Sequence, residues 1–162
     1  MLHSQLEQFY DAHGDALFAF LLQLTRREAD AADLVQEVFQ KLVRRPGWMA
    51  RWRNPRAALL RMGHNAFIDQ LRRRTVRDRA DETFLAENDL FVRNSADEIW
   101  LESVQAALGD LPPDQRAVVH LKIWESMTFR QIADALKISP NTAASRWRYA
   151  IDKLRQSLRH PV

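Results

Sequence analysis

The stretch TFRQIADALKISPNTAASRWRYAIDKLRQSL, residues 128–158, decides how the rest of the chain is read. Phe129, Ile132, Ala133 and Leu136 recur at helical spacing and form one apolar face. Ser139-Pro140-Asn141-Thr142 reads as a turn. Ala143, Trp147, Ile151 and Leu154 then repeat at helical spacing on a second helix, facing the core. The small Ala133 lets two steeply crossing helices approach, and Ile138 is placed to plug the corner. This pattern predicts a helix-turn-helix, whose second helix enters the major groove with its N-terminal part against base edges. Ala144, Ser145, Arg146, Arg148, Tyr149 and Asp152 fall on the other faces of that helix. Thr142, near its start, can hold a phosphate through its hydroxyl and the helix N-terminus. Lys137 stands where such turns commonly have glycine, so a left-handed backbone there would carry strain. The competing reading is an ordinary helical hairpin with a solvated basic face.

The bulk composition agrees with a helical, globular chain. Of 162 residues, 46% are hydrophobic, with four glycines and six prolines, a mix that favours helix and a packed core. Absence of cysteine excludes disulfides and thiolate metal sites and fits a reducing cytosol. No apolar run reaches membrane-spanning length, so no membrane insertion is expected. The opening MLHSQLEQFYDAHGD does not read as a signal peptide. Net charge is only +3, but its distribution is uneven. Residues 1–39 are acidic, residues 40–79 are rich in arginine, residues 80–99 turn acidic again, and the C-terminal helix is basic. Alternating blocks suggest separate surfaces for separate partners; solvated charge clustered by chance is the plain alternative.

Along the chain, Leu6 to Leu24 shows helical spacing, with AHGD (12–15) as an expected break between two helices. In residues 25–45, Leu34, Val38 and Leu42 form one stripe and Val35 and Phe39 a neighbouring one. Asp30 is expected to cap this helix, with Asp33 in its first turn, and Pro46-Gly47-Trp48 to end it. Asn54 can cap the next helix, with Pro55 at its first position. That helix runs to about Arg74 and holds Gly63, which costs about 1 kcal/mol there and can permit close packing. Residues 75–96 are polar, acidic and poorly periodic. They read as a linker, with a short helical piece expected near Phe84 to Phe91, and so argue for two domains. Asp97 to Leu108 is helical, and a turn and a further helix follow before residue 128.

Three separated segments carry a family resemblance. ADLVQEVFQKLVRR (32–45) with NPRAALLRMGHNAFIDQLRRR (54–74) resembles the first conserved domain of bacterial extracytoplasmic-function (ECF) sigma factors, and residues 108–155 resemble the second. The resemblance covers roughly Phe9 to Arg74 and Ile99 to Leu158. It implies an all-α fold: a first domain over 1–74, an acidic linker over 75–96 and a helix-turn-helix domain over 97–162. It also implies a division of labour. Asp33, Gln36, Glu37 and Phe39 match the helix that docks on core RNA polymerase, with Phe39 as anchor or as core. Trp52, Arg53, Arg56, Arg61, Asn65, Arg72 and Arg73 fall where the family binds and melts the −10 element. Asn65 matches a position that helps read a flipped base, and Arg72, Arg73 and Arg74 would contact phosphates. Trp48 and Trp52 can equally pack, and at most one is expected to touch DNA. Thr142, Ala144, Ser145, Arg146, Arg148 and Tyr149 match the −35 reader, with Arg146 foremost for a base-edge or close phosphate contact. Ala144 replaces a cation or polar residue often found there, which favours shape or methyl readout. The linker would thread toward the RNA exit path or serve as a plain tether.

The partners implied are core RNA polymerase, promoter DNA and an anti-sigma factor, with the chain monomeric and cytoplasmic. No cofactor is expected, since the five histidines show no metal-ligand spacing. No phosphate-binding glycine loop or nucleophile motif is present either, so the chain is not expected to be an enzyme. A stand-alone helix-turn-helix regulator would explain the second half alone. It would commonly dimerise on a palindrome and would leave the acidic helix and the Trp/Arg loop without purpose.

Overall fold

The computed structural model describes residues 2–45, 47–77 and 96–159. All regular structure among them is helical: α1 (Leu2–Thr25), α2 (Glu28–Arg44), α3 (Trp48–Arg51), α4 (Pro55–Arg77), α5 (Ala96–Gly109), α6 (Pro113–Ile123), α7 (Phe129–Leu136) and α8 (Pro140–Leu158). The helices sort into two compact units, α1–α4 and α5–α8. The fold is all-α.

In the first unit α1, α2 and α4 pack on one another. Leu17, Phe20, Leu21 and Leu24 of α1, Leu34, Val38 and Leu42 of α2 and Leu59, Leu60 and Phe67 of α4 are all buried. The expected break at 12–15 does not occur, and α1 runs straight through Gly14. Glycine costs a helix only about 1 kcal/mol, less than the burial of the apolar side chains that follow it. Gly63 is where two helices come close. A Cβ there would stand 2.6 Å from Leu17 Cδ1, so a larger residue would force the Leu17 side chain to shift.

Arg26, left-handed at φ 61°, ends α1, and its N–H donates to Leu22 O at 2.8 Å. Arg27 is extended at the N-cap of α2 and makes no side-chain cap. The helix thus begins before Asp30, and the expected cap by Asp30 is corrected. Asp30 lies in the first turn and pairs with Arg74 of α4 at 3.0 Å. Asn54 does cap α4, accepting from the Ala57 N–H at 3.1 Å. Helix α4 continues to Arg77, past the expected end at Arg74. The short helix expected near Phe84 to Phe91 lies outside the described residues.

The second unit has its own core. Leu108, Leu111, Val119 and Ala150 cluster, with Val104, Trp147 and Leu154 packed against them. Ala150 is fully buried, whereas Ile151, expected in the core, is only half-buried. The α5–α6 turn closes on Arg116, a buried side chain whose Nη1 donates to Leu111 O at 2.7 Å and Gly109 O at 3.2 Å. His120 of α6 is also buried and stacks on Trp124, centroids 5.2 Å apart. Burial lowers its pKa from 6.5 to about 4, opposed in part by the Glu125 charge. The unfolded chain therefore binds the proton more readily than the folded one. Stability from this group is complete above pH 6.5 and is lost as the pH falls toward 4. The loss should approach about 3 kcal/mol. Unfolding midpoints across roughly pH 5–6.5, above most carboxylate titration, should fall for the wild type and flatten in His120→Leu.

Helix α7 is closed at both ends. Thr128 and Gln131 form a reciprocal capping box, with bonds of 3.1 and 2.9 Å. Lys137 is left-handed at φ 57° and ψ 47°, and the following Ile138 N–H reaches Ala133 O at 3.0 Å. Ser139 then caps α8, accepting from the Thr142 N–H at 3.1 Å. An L-residue in this region costs about 1–2 kcal/mol that glycine avoids. Lys137→Gly should therefore stabilise the second unit by about 1 kcal/mol in urea unfolding, net of the entropy glycine adds to the unfolded chain.

Candidate functional site

Three surfaces follow from these helices. The first is the outer face of α2. Its apolar stripes go inward, which leaves Asp33 and Gln36 exposed and Glu37 half-exposed. Glu37 Oε1 lies 3.6 Å from Lys41 Nζ and 3.5 Å from Arg73 Nη2. Phe39 is only 9% exposed and its ring meets Tyr10 at 4.9 Å and Phe9 at 6.4 Å. In this chain it is a packing residue at the edge of a groove between α1 and α2. Tyr10, Phe18, Val35, Gln36, Phe39 and Val43 are among the residues lining that groove. Tyr10 and Val43 are more than half exposed, and the sequence reading assigned neither to a binding surface. The signal for Val43 was present, because it continues the Val35–Phe39 stripe by one more turn.

The second surface runs from α3 onto α4. Trp48 is half-buried beneath the Arg45 guanidinium, 4.9 Å from its ring, and Trp52 is half-buried 6.0 Å from Phe9. Both indoles therefore have neighbours within the unit. Arg53, Arg56 and Arg61 are exposed. Asn65 lies one turn beyond Arg61, half-buried on the same face of α4, and exposed Arg72 continues that row. Arg73 and Arg74 leave the row: the first reaches Glu37 and the second Asp30, both on α2. A cationic face is present, but two of the expected phosphate-binding arginines already have carboxylate partners.

The third surface is α8. Ala143 and Ala150 are buried and Trp147 packs on the core, which turns Ser145, Arg148 and Tyr149 away from it. Arg148 Nη2 donates to Ser145 Oγ at 3.2 Å, and Tyr149 is 64% exposed. Thr142 and Ala144 are half-buried near the helix start. The Thr142 hydroxyl accepts from Ser139 Oγ at 2.9 Å, which leaves its own proton to donate. Arg146 differs from its neighbours. Its Nε lies 3.5 Å from Asp114 Oδ2 on α6, so the residue expected to reach DNA first is turned toward the flank.

Among the described residues no cluster of His, Asp or Glu could hold a metal ion, and no helix is long and apolar enough to cross a membrane. Comparison with known proteins gives matches in both units. The family described as Sigma-70 region 2 matches residues 9–77, and that described as Sigma-70, region 4 matches residues 101–154. The chain is 30% identical over 155 residues to the RNA polymerase sigma-E factor of Streptomyces avermitilis, covering 95% of this chain and 85% of that one. It is 29% identical over 158 residues to the ECF RNA polymerase sigma factor SigL of Mycobacterium tuberculosis, covering 94% and 88%. Among solved structures it is similar to the sigma factor RpoE from Bartonella quintana, in complex with the anti-sigma factor NepR. That likeness has a TM-score of 0.82 at 23% identity, covers 98% and 99% of the two chains, and concerns the fold.

Proposed function

The chain belongs to the sigma-70 family, in its ECF branch, and from that premise we propose that it binds core RNA polymerase and directs transcription initiation by recognising −10 and −35 promoter elements. The observation that carries the reading is the pairing of both sigma regions, in order, with an acidic helix face on α2 and basic faces on α4 and α8. Residues 1–74 form the polymerase-binding and −10 part, 75–96 the linker and 97–162 the −35 part.

Asp33, Gln36 and Glu37 face the polymerase, and their carboxylates suit a basic partner helix. Phe39 acts beneath them by holding α2 on Tyr10 and Phe9. Arg53, Arg56, Arg61 and Arg72 hold the DNA backbone near the −10 element, and Asn65 reads a flipped base. Of the two indoles, Trp52 is nearer that work, beside Arg53 on the loop that leads into α4. Ser145, Arg148 and Tyr149 meet the −35 element, with Thr142 on a phosphate.

The chemistry belongs to the polymerase, and the chain is a non-enzymatic DNA-binding regulator that works in the cytoplasm. An anti-sigma factor is a fitting partner, since the similar RpoE was solved with one. A stand-alone regulator is disfavoured because it gives the region 2 match no task. The deciding experiment is binding to purified bacterial core polymerase. A tight one-to-one complex that transcribes from a promoter the core alone ignores is the expected result. A folded, monomeric chain that does not bind core would sink the proposal.

A further inference from the structure

We infer that Asp114 is a specificity-determining positioning residue: it holds Arg146 away from DNA phosphates and so leaves −35 reading to Ser145, Arg148 and Tyr149. This rests on α8 being the reading helix. Asp114 lies in the first turn of α6, where the N-terminal backbone field favours a carboxylate. Its Oδ1 accepts from the Gln115 N–H at 2.9 Å, which fixes the group, and Oδ2 faces Arg146 Nε at 3.5 Å. Arg146 emerges beside the buried Ala143 and Ala150, at the edge of α8, not on the outward row. An arginine on the flank of a helix seated in the major groove is placed for the DNA backbone. A phosphate contact raises affinity for every sequence equally, because phosphates carry no sequence information. Pairing that cation with a carboxylate reduces the non-specific increment, and a carboxylate at the same flank repels phosphate as well. Stability alone is a poor account of the pair. With Asp114 about half exposed, such a bridge contributes at most a small amount.

Asp114→Asn keeps the acceptor for Gln115 and removes the charge. The test uses the full chain, a short duplex without promoter sequence, and affinity measured across a salt series. Asp114→Asn should bind several-fold more tightly at low salt, and its logarithmic salt slope should steepen by about 0.9, one more phosphate engaged. Both changes should vanish in the Arg146→Gln background. In the holoenzyme, Asp114→Asn should lower the ratio of transcription from intact over scrambled −35 elements. Unfolding midpoints check that every variant stays folded. An unchanged salt slope overturns the inference, as does a gain that survives in Arg146→Gln, or absence of duplex binding by both wild type and Asp114→Asn at the lowest salt. Failure to bind core polymerase would count against the proposed function instead. A null Asp114→Asn result in a chain that binds core would count only against the role of Asp114.

Discussion

Asp33→Arg/Glu37→Arg is expected to abolish binding to core polymerase while leaving the chain folded. Asp33 is exposed and makes no contribution to the buried stripes of α2. Among the described residues Glu37 pairs with exposed Lys41 and Arg73, interactions worth about 0–1 kcal/mol each. The fold should therefore lose little, although arginine at 37 puts like charges beside both partners. At the interface the outcome differs. On the proposed docking against a basic helix, reversal would replace two attractive contacts by two repulsive ones, and like charges set face to face cost several kcal/mol. A loss of about two orders of magnitude or more follows from that cost. Binding measured by anisotropy or co-elution, with circular dichroism as the folding control, checks it. Near-wild-type affinity would move the polymerase contact elsewhere, and the α1–α2 groove bordered by Tyr10 and Val43 would be the next surface to alter.

The second large effect concerns Arg116. Its side chain is 5% exposed and bridges the carbonyls of Gly109 and Leu111 at the α5–α6 turn. Leucine fills much of the volume but supplies no donor. Each carbonyl left without its partner costs about 1–3 kcal/mol, and bonds from a charged donor are the stronger kind. Arg116→Leu should thus remove about 3–5 kcal/mol from the second unit, much of what a domain of this size possesses. Urea unfolding should show that unit largely unfolded at 37 °C while the first unit keeps its transition. A loss below about 1 kcal/mol would mean that water replaces the guanidinium in the turn.

Helix existence was legible in the sequence because apolar spacing is a local signal. The helix-turn-helix was the most legible part: Ile132, Ala133 and Leu136 are buried as their spacing predicted, and Lys137 is left-handed at the position where such turns commonly have glycine. Local signals failed where a distant partner decides. Gly14 and Asp15 look like a break, yet burial of the residues beyond them keeps α1 whole. Asp30 looks like a cap, but its carboxylate is drawn to Arg74 on another helix. For Arg146, which the family resemblance puts foremost at the DNA, the sequence shows no partner within the protein. Only the fold reveals Asp114 beside it. Charge pairing across helices leaves no periodic trace, and this is why the extent of each surface could be foreseen better than the state of its individual arginines.

Helix α7 has one more consequence. It spans eight residues, well short of what an isolated helix needs to persist in water. Its capping box and left-handed end satisfy its own termini but cannot replace the packing of Ile132, Ala133 and Leu136. Its lifetime is therefore the lifetime of its docking on α8 and α6. Should α7 detach, α8 keeps its packing on α5 and α6 but loses the third helix that helps to set its angle, and with it the pose proposed for reading DNA. Competence to read a promoter should be lost in a single cooperative step with α7, with no graded approach to it.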